Sequence, residues 1–178
     1  EGGKSVDTSM GFTPLEGLMM GTRSGDIDPG AIFYIMKKEG LSLHEIDSML
    51  NKHSGLFGVA GVSDMRDIEK GIEEDDRLAK VAFDIYEYRI RKYIGSYVAA
   101  MNGVDAIVFT AGIGENTPAL RTQLISHLPY LGISINEENN KKRGEDIEIS
   151  TPDSRVKVFV IPTDEELVIA RDIASLTS

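Results

Sequence analysis

A glycine pair directly after an apolar strand is the first feature of this sequence that could do chemistry. The stretch IVFTAGIGEN is apolar up to Phe109, passes through Gly112 and Gly114, and ends at Asn116. Glycines at the end of a parallel strand let a phosphate or ribose lie against bare backbone, and the following helix start offers unpaired N–H donors. A tight turn without a ligand explains the same residues, so the spacing alone leaves both interpretations open.

Two well-known phosphate-binding patterns do not fit this stretch. It lacks the third glycine of a dinucleotide-binding fingerprint, and no Gly-Lys-Ser/Thr follows it as in a P-loop. A dinucleotide-dependent oxidoreductase is therefore disfavoured.

Arg23 lies between Gly21 and Gly25 in a long irregular segment. Segments of this kind in a compact domain are typically functional or mobile. Phosphoryl transfer needs a fixed positive charge with planar donors around the equatorial oxygens of the moving group, and a guanidinium supplies both. A solvated loop arginine is the alternative that the residue type by itself allows.

Acidic residues stand at two predicted helix starts. Thr163 with Glu166 matches a capping box, and acids in a first turn favour the helix dipole. This leaves Glu165 unassigned, and a carboxylate just after a strand suits Mg²⁺, bound directly or through water. Asp64 is predicted to cap a short helix, with Arg66 as its solvated neighbour.

The composition indicates a globular protein. The chain has 178 residues, 41% hydrophobic and 27% charged, with no cysteine and a formal net charge of −10. Its few basic residues are scattered, which argues against a nucleic-acid surface. No apolar run reaches the roughly 18 residues of a membrane span. The lack of cysteine suits a reducing cytosol.

Apolar periodicity and capping residues place these candidates in an α/β fold. They predict helices that begin after Asp28, Ser42, Asp75, Asn116 and Thr163, and buried strands at Asp105–Phe109 and within VKVFVIP. Phe33 belongs to the apolar face of the first helix. Strand and helix alternate in the second half, so we expect a mixed, partly parallel sheet flanked by helices.

The first residues predict half of a β-hairpin. Glu1–Lys4 has the composition of a tight turn and Ser5–Thr8 that of the strand after it. A hairpin needs a first strand, so the sequence predicts a chain that is part of a longer protein.

Four motifs, in this order, closely resemble the carboxyl-terminal lobe of the acetate kinase family: VDTSMGFTPLEGLMMGTRSGDIDP, SDMRDI, TAGIGEN and IPTDEELVIARD. The resemblance covers essentially all of residues 1–178. It implies a ribonuclease H-like lobe of the sugar kinase, Hsp70 and actin superfamily, with the amino-terminal lobe absent from this chain.

The resemblance also implies roles for individual residues. Arg23 matches the family's transition-state arginine, and Glu165 matches its magnesium residue, although Asp164 replaces the more usual asparagine beside it. The residues that match the family's nucleotide-binding segments are Asp64, Met65, Arg66, Gly112, Ile113, Gly114, Glu115 and Asn116.

The activity implied is direct transfer of the ATP γ-phosphoryl group to acetate, giving ADP and acetyl phosphate. Mg²⁺ or Mn²⁺ would accompany the nucleotide in a cytoplasmic homodimer that binds neither nucleic acid nor membrane. A non-catalytic nucleotide-binding or assembly module is the rival interpretation. Propionate and butyrate kinases resemble the same family, so acyl-chain preference stays open.

Other polar residues are predicted to be structural. His44, His53 and His127 lack acidic or nucleophilic partners at useful spacing. Asp26-x-Asp28 resembles the start of a calcium loop but has Lys37 where a glutamate is needed. Lys141–Arg143 is expected to be a solvated charge run.

Overall fold

The computed structural model describes residues 2–177 and divides the chain into two compact units, residues 1–102 and 103–178. The first unit is helical, and the second contains a sheet with helices. The predicted mixed α/β fold is confirmed. No helix within residues 2–177 is both long enough and apolar enough to cross a membrane.

The first unit contains five helices after an irregular segment. They are α1 (Pro29–Glu39), α2 (Leu43–Lys52), α3 (Gly55–Ala60), α4 (Met65–Glu73) and α5 (Arg77–Ala100). The predicted caps are present: Asp28 accepts a hydrogen bond from Gly30 N, and Ser42 and Glu45 form both halves of a capping box. Such caps satisfy backbone donors that the first helical turn leaves unpaired.

The core of the first unit lies where α5 packs against α3 and α4. Leu56 of α3, Ile68 of α4 and Ala82 of α5 are completely buried there. Burial of each large apolar side chain stabilises the fold by roughly 1.5–3 kcal/mol. Helix α5 is therefore held firmly along the half that faces these two helices.

Helix α1 does not bury the apolar face that its sequence predicted. No residue of α1 is buried within the described chain, and the Phe33 side chain is 70% exposed. The helix forms because Asp28, Pro29 and the left-handed Gly40 delimit it, independently of what covers its apolar side.

The predicted strand at Ser5–Thr8 is not present. Gly2 and Gly3 have left-handed φ angles of 58° and 81°, as a tight turn requires. Ser5–Thr8 nevertheless pairs with no strand among residues 2–177. The turn is confirmed at Gly2 and Gly3, while Glu1 lies outside the described residues. The strand half of the prediction is wrong for this chain, because a strand needs a hydrogen-bonded neighbour.

The second unit alternates strands and helices. Its elements are β1 (Ala106–Phe109), α6 (Ala111–Asn116), α7 (Pro118–Ser126), a 3-10 turn (Pro129–Leu131), α8 (Glu137–Asn140), β2 (Ile147–Glu148), β3 (Lys157–Val160) and α9 (Glu165–Thr177). Leu120, Leu124 and Val158 are almost completely buried in its core.

The sheet has the strand order β1-β3-β2, with β1 parallel and β2 antiparallel to β3. The central strand β3 buries Val158 and Val160 on one face, as expected. Strand β1 was predicted to be buried, but it lies at the edge of the sheet and Val108 is 49% exposed. Its apolar sequence therefore does not translate into burial within this chain.

Candidate functional site

The carboxyl ends of the two parallel strands bring two of the predicted site segments together. Phe109 pairs with Val160, so α6 follows β1 and α9 follows β3 at the same edge of the sheet. A hydrogen bond of 2.9 Å from Thr163 N to Glu115 Oε1 joins them directly. Ligands of parallel α/β sheets bind at this edge.

The segment Gly112–Asn116 forms helix α6 rather than the open loop predicted before a helix at Asn116. The turn from strand to helix occurs at Ala111, whose φ of 58° is rare for a residue with a side chain. Residues held in such backbone conformations cluster at functional sites, where the surrounding structure outweighs their strain.

The protein's own packing does not require glycine at Gly112 or Gly114. Neither has a left-handed φ; a Cβ on Gly112 would meet no heavy atom within 4 Å, and one on Gly114 would lie 3.5 Å from Phe109 C. The second distance is an ordinary van der Waals contact. Helix formation favours alanine over glycine by up to about 1 kcal/mol. The packing of residues 2–177 therefore gives no reason for glycine at either position, whereas close approach of a ligand would give one.

Two polar side chains of α6 already have partners. Asn116 Nδ2 donates to Gly112 O at 2.8 Å, and Glu115 accepts from Thr163. At the start of α6, Ala111 and Gly112 are exposed, and no side chain among residues 2–177 caps the helix there.

Arg121 is a site residue that sequence analysis missed. Its side chain is completely buried, and it donates to Gly114 O at 2.6 Å, Glu115 O at 2.9 Å and Asn140 Oδ1 at 2.8 Å. The guanidinium thus binds the carbonyl end of α6 and ties it to α8. Burial, followed by the charge of Arg143, lowers the pKa of Arg121.

A sequence signal for Arg121 existed. It lies one residue after Leu120 and three before Leu124, on a helix face that is otherwise apolar, where a charged residue is exceptional. Arg143 was predicted to be part of a solvated charge run, but its Nη2 donates to Asn116 O at 3.1 Å. Arg143 nevertheless remains exposed, as do Lys141 and Lys142, so the charge run is solvated as predicted.

Helix α9 begins one residue later than the predicted cap implied. Asp164 Oδ1 accepts from Leu167 N at 2.9 Å, so Asp164 is the capping residue and Thr163 is bound to Glu115 instead. The capping box of Thr163 and Glu166 is therefore wrong. Glu165 occupies the first turn of α9, exposed at the same edge of the sheet as α6.

The role of Glu165 as a metal ligand stays a prediction, and its exposed carboxylate is compatible with a divalent cation that is held mainly by substrate and water. Among residues 2–177 no three His, Cys, Asp or Glu side chains converge as a complete metal site. Mg²⁺ bound to nucleotides keeps several waters and takes one or two protein carboxylates together with phosphate oxygens. A single exposed carboxylate beside a predicted phosphate segment matches that pattern.

Backbone hydrogen bonds anchor the Arg23 loop in the first unit. Met20 N donates to Arg23 O at 3.1 Å, Ser54 N to Thr22 O at 2.9 Å, and Ser24 N to Leu50 O at 2.9 Å. The backbone of the Arg23 loop is therefore tied to α2 and to the segment at the start of α3.

Gly55 makes this anchoring possible. Its φ of 62° requires glycine, and a Cβ there would lie 2.1 Å from Met20 O and 2.7 Å from Arg23 O. The start of α3 thus packs directly against the backbone of the arginine. Any side chain at position 55 would push the Arg23 loop away.

The guanidinium of Arg23 lies half-buried without an anionic partner. Its contact is a weak hydrogen bond of 3.5 Å from Nη1 to Met20 Sδ, and within residues 2–177 the structure gives it no carboxylate. Arg66 and Arg89, by contrast, each pair with an aspartate. A fixed cation without a counter-ion suits an anionic ligand.

The triplet Asp64-Met65-Arg66 starts α4. Asp64 accepts from Arg66 N at 2.9 Å and from Arg66 Nη2 at 2.6 Å, which lowers the pKa of the carboxyl group to about 2. Any stability from this charge is present above the ordinary value of 3.8 and is lost as the pH falls through about 2. Met65 is almost completely buried, so its side chain is not open to a ligand. The nucleotide role of the triplet stays a prediction.

The remaining polar residues have local structural roles. His53 and His127 end helices α2 and α7, and His44 lies exposed on α2. Asp28 caps α1, while Asp26 binds Gly17 N and side chains of α5.

Comparison with known proteins establishes the family. The sequence model of the acetokinase family matches residues 1–171. The chain belongs to the acetokinase family. It is 57% identical over 177 residues to the acetate kinase of Halothermothrix orenii and 61% identical over 173 residues to that of Thermosipho melanesiensis. These matches span 99% and 96% of this chain but only 44% and 43% of the lengths of the two relatives.

Solved structures of an acetate kinase and a propionate kinase have the same fold as this chain. Porphyromonas gingivalis acetate kinase matches with a TM-score of 0.92 at 47% identity, over 99% of this chain and 45% of that one. A propionate kinase from Francisella tularensis matches with a TM-score of 0.88, also at 47% identity, over 95% of this chain and 43% of that one. The acetokinase-family chain described here therefore has a sugar kinase/Hsp70/actin-type fold, as the motifs implied.

Proposed function

We propose that this chain is the carboxyl-terminal, nucleotide-binding lobe of an ATP:acetate phosphotransferase. The observation that carries the proposal is the Arg23 guanidinium, held on an anchored loop where residues 2–177 give it no carboxylate partner. Relatives at 57–61% identity that are named acetate kinases support acetate as the acceptor. The chain spans less than half of their length, so the remaining lobe would complete the enzyme.

The reaction is a single displacement at phosphorus. A carboxylate oxygen of acetate attacks the γ-phosphorus of ATP, the bond from that phosphorus to the bridging oxygen breaks, and ADP leaves with the electron pair. No proton transfer is needed, because acetate and ADP are both anions. The protein contributes positioning and charge stabilisation, which are the main requirements of phosphoryl transfer.

The residues of this chain divide the work between the phosphoryl group and the nucleotide. Arg23 would donate to the equatorial oxygens of the moving phosphoryl group, where negative charge spreads in the transition state. The backbone of Gly112–Asn116 would approach the ribose and phosphates closely, and Asp64–Arg66 would contact the nucleotide as well.

Glu165 would hold a divalent cation, Mg²⁺ or Mn²⁺, together with the phosphates. The cation supplies charge neutralisation on the phosphate oxygens. Glu165 is suited to this because its exposed carboxylate lies at the sheet edge that also carries α6. We further propose that the enzyme is a cytoplasmic homodimer.

Hydroxamate trapping of acetyl phosphate tests the proposal. The full-length enzyme, meaning this chain together with its amino-terminal lobe, is assayed with ATP, Mg²⁺ and acetate. We expect turnover within the usual enzymatic range of roughly 1–1000 s⁻¹. Absence of acetyl phosphate despite MgADP binding would instead favour a non-catalytic nucleotide-binding module.

Propionate kinase activity is the second candidate. The Francisella tularensis propionate kinase is as identical to this chain as the Porphyromonas gingivalis acetate kinase is. Acetate, propionate and butyrate compared as acceptors in the same assay decide between them through kcat/KM. A higher kcat/KM for propionate than for acetate would reassign the acceptor without changing the roles of Arg23 and Glu165.

A further inference from the structure

Asp26 closes the base of the loop that carries Arg23. Its N–H donates to Gly17 O at 2.9 Å, and its Oδ1 accepts from Gly17 N at 2.8 Å. Gly25 fits this closure because a Cβ there would lie 2.5 Å from Met19 N. Residues 17–26 thus form a closed loop, and the position of Arg23 depends on where that loop is fixed.

Helix α5 fixes the other side of Asp26. The Tyr93 hydroxyl donates to Asp26 Oδ2, and Arg89 Nη2 lies 2.9 Å from the same oxygen and donates to Asp26 O at 3.2 Å. Arg89 and Tyr93 are four residues apart and therefore share one face of the helix. Burial, followed by the Asp26 hydrogen bond, raises the pKa of Tyr93 to about 12, so its hydroxyl remains a donor near neutral pH.

We propose that Asp26, Arg89 and Tyr93 are positioning residues that hold Arg23 against the transferring phosphoryl group; this rests on the proposed function. Asp26 connects the Arg23 loop to α5, because one carboxylate oxygen closes the loop and the other binds Arg89 and Tyr93 of the helix. Among residues 2–177 the side chain of Arg23 has only its weak contact with Met20, so its placement comes from the loop backbone. Asp26 secures that backbone on the side of α5, together with the backbone hydrogen bonds to Leu50 and Ser54.

Energetic magnitudes favour positioning over stabilisation as the role of this cluster. The Arg89 and Asp26 side chains are 24% and 41% exposed, and partly exposed ion pairs add little to folding stability. A misplacement of about 1 Å at a catalytic group, however, can lower the rate roughly a hundredfold. Loss of the cluster should therefore affect catalysis far more than unfolding.

The test is a double-mutant cycle in the full-length enzyme. Tyr93→Phe and Arg89→Gln are each made with Arg23 present and with Arg23→Ala, and Arg89→Lys is the conservative variant. Tyr88→Phe is the matched control, since it removes a hydroxyl from the same helix at an exposed site that contacts only Arg91 and Lys92 among the interactions described. Each variant is checked for cooperative thermal unfolding.

We expect Tyr93→Phe and Arg89→Gln to lower kcat at least about tenfold while the KM for ATP changes less than about threefold. Arg89→Lys should recover part of the loss, and Tyr88→Phe should resemble the wild type. In the Arg23→Ala background the same changes should have no further effect. An unchanged kcat, or an equal fall with and without Arg23, overturns the proposal.

Hydrogen exchange distinguishes failure of this inference from failure of the proposed function. The Ser24 amide, which donates to Leu50 O, should exchange faster in Tyr93→Phe than in Tyr88→Phe, whatever reaction the enzyme catalyses. If the wild type makes no acetyl phosphate but the Ser24 amide exchanges faster in Tyr93→Phe, the proposed function fails. The inference that α5 fixes the Arg23 loop through Asp26 then still stands. Equal exchange in both variants overturns the inference alone.

Discussion

Arg23 is the residue on which the proposed chemistry depends most. Arginines that stabilise the transition state of phosphoryl transfer contribute about 10³-fold or more to kcat. We therefore expect Arg23→Ala in the full-length enzyme to lower kcat by about that factor with little change in the KM for ATP. Arg23→Lys should restore only part, because an ammonium group lacks the planar fork.

Steady-state kinetics with Arg66→Ala as the control check this prediction. Arg66 is an exposed arginine already paired with Asp64, and the proposed reaction gives it no contact with the moving phosphoryl group. Its replacement should act on the KM for ATP rather than on kcat. An Arg23→Ala enzyme that keeps more than about a tenth of wild-type kcat would make Arg23 an ordinary loop residue.

Arg121 is the residue whose loss should most damage the second unit. Its replacement by leucine leaves Gly114 O, Glu115 O and the Asn140 side chain without their buried donor. An unsatisfied buried polar group costs about 1–3 kcal/mol, so we expect the free energy of unfolding to fall by roughly 3 kcal/mol or more. Urea unfolding of the full-length enzyme, followed near α6, measures this.

The matched control for Arg121 is Arg143→Leu. Arg143 makes a single, exposed hydrogen bond to the same helix end. It should therefore change the free energy of unfolding by less than about 1 kcal/mol. Equal effects of the two substitutions would contradict the special role of the buried guanidinium.

At the scale of the element, a substitution in α6 can separate an effect on folding stability from an effect on ligand binding. Because nothing within 4 Å would meet a Cβ at Gly112, Gly112→Ala should leave the melting temperature unchanged or slightly higher. If a nucleotide lies against this backbone, the same methyl group should weaken MgADP binding. Calorimetric titration and thermal unfolding of the full-length enzyme measure the two effects.

Gly55→Ala provides the opposite control. Its Cβ would collide with Met20 O and force a left-handed residue, so it should lower the melting temperature clearly. If Gly112→Ala binds MgADP with unaltered affinity, the glycine pair of α6 is explained by a simple turn without a ligand.

At the scale of the whole molecule, this chain alone should not make acetyl phosphate. It carries Arg23 and Glu165, yet it spans less than half of its relatives' length. Loss of proper positioning can raise a barrier by roughly 7–11 kcal/mol, which one arginine and one metal partner cannot restore.

Hydroxamate trapping with the purified chain, the full-length enzyme and a mixture of the chain with a separately produced amino-terminal lobe checks this. We expect turnover from the full-length enzyme and none from the chain by itself. Turnover by the chain alone within about a hundredfold of a typical 10 s⁻¹ would show that the remaining lobe is not needed for catalysis.

Local signals in the sequence determined most of the elements. Helices are defined by interactions within a few residues, so they can be predicted without tertiary context. Examples are Asp28 with Pro29, Ser42 with Glu45, and the periodic residues of α5. The motifs around Arg23 and Gly112 also identified the family without tertiary context, because the family is recognised from their residues and their order along the chain.

Tertiary structure decided what those elements bury and bind. Phe33 and Val108 are apolar but exposed, because burial depends on which elements lie alongside, and adjacent sequence does not encode that. Thr163 does not cap α9 as predicted, and its N–H donates instead to Glu115, 48 residues away. The links from Asp26 to Tyr93 and from Arg121 to Asn140 likewise join side chains 67 and 19 residues apart, and only the folded chain brings such groups within hydrogen-bonding distance.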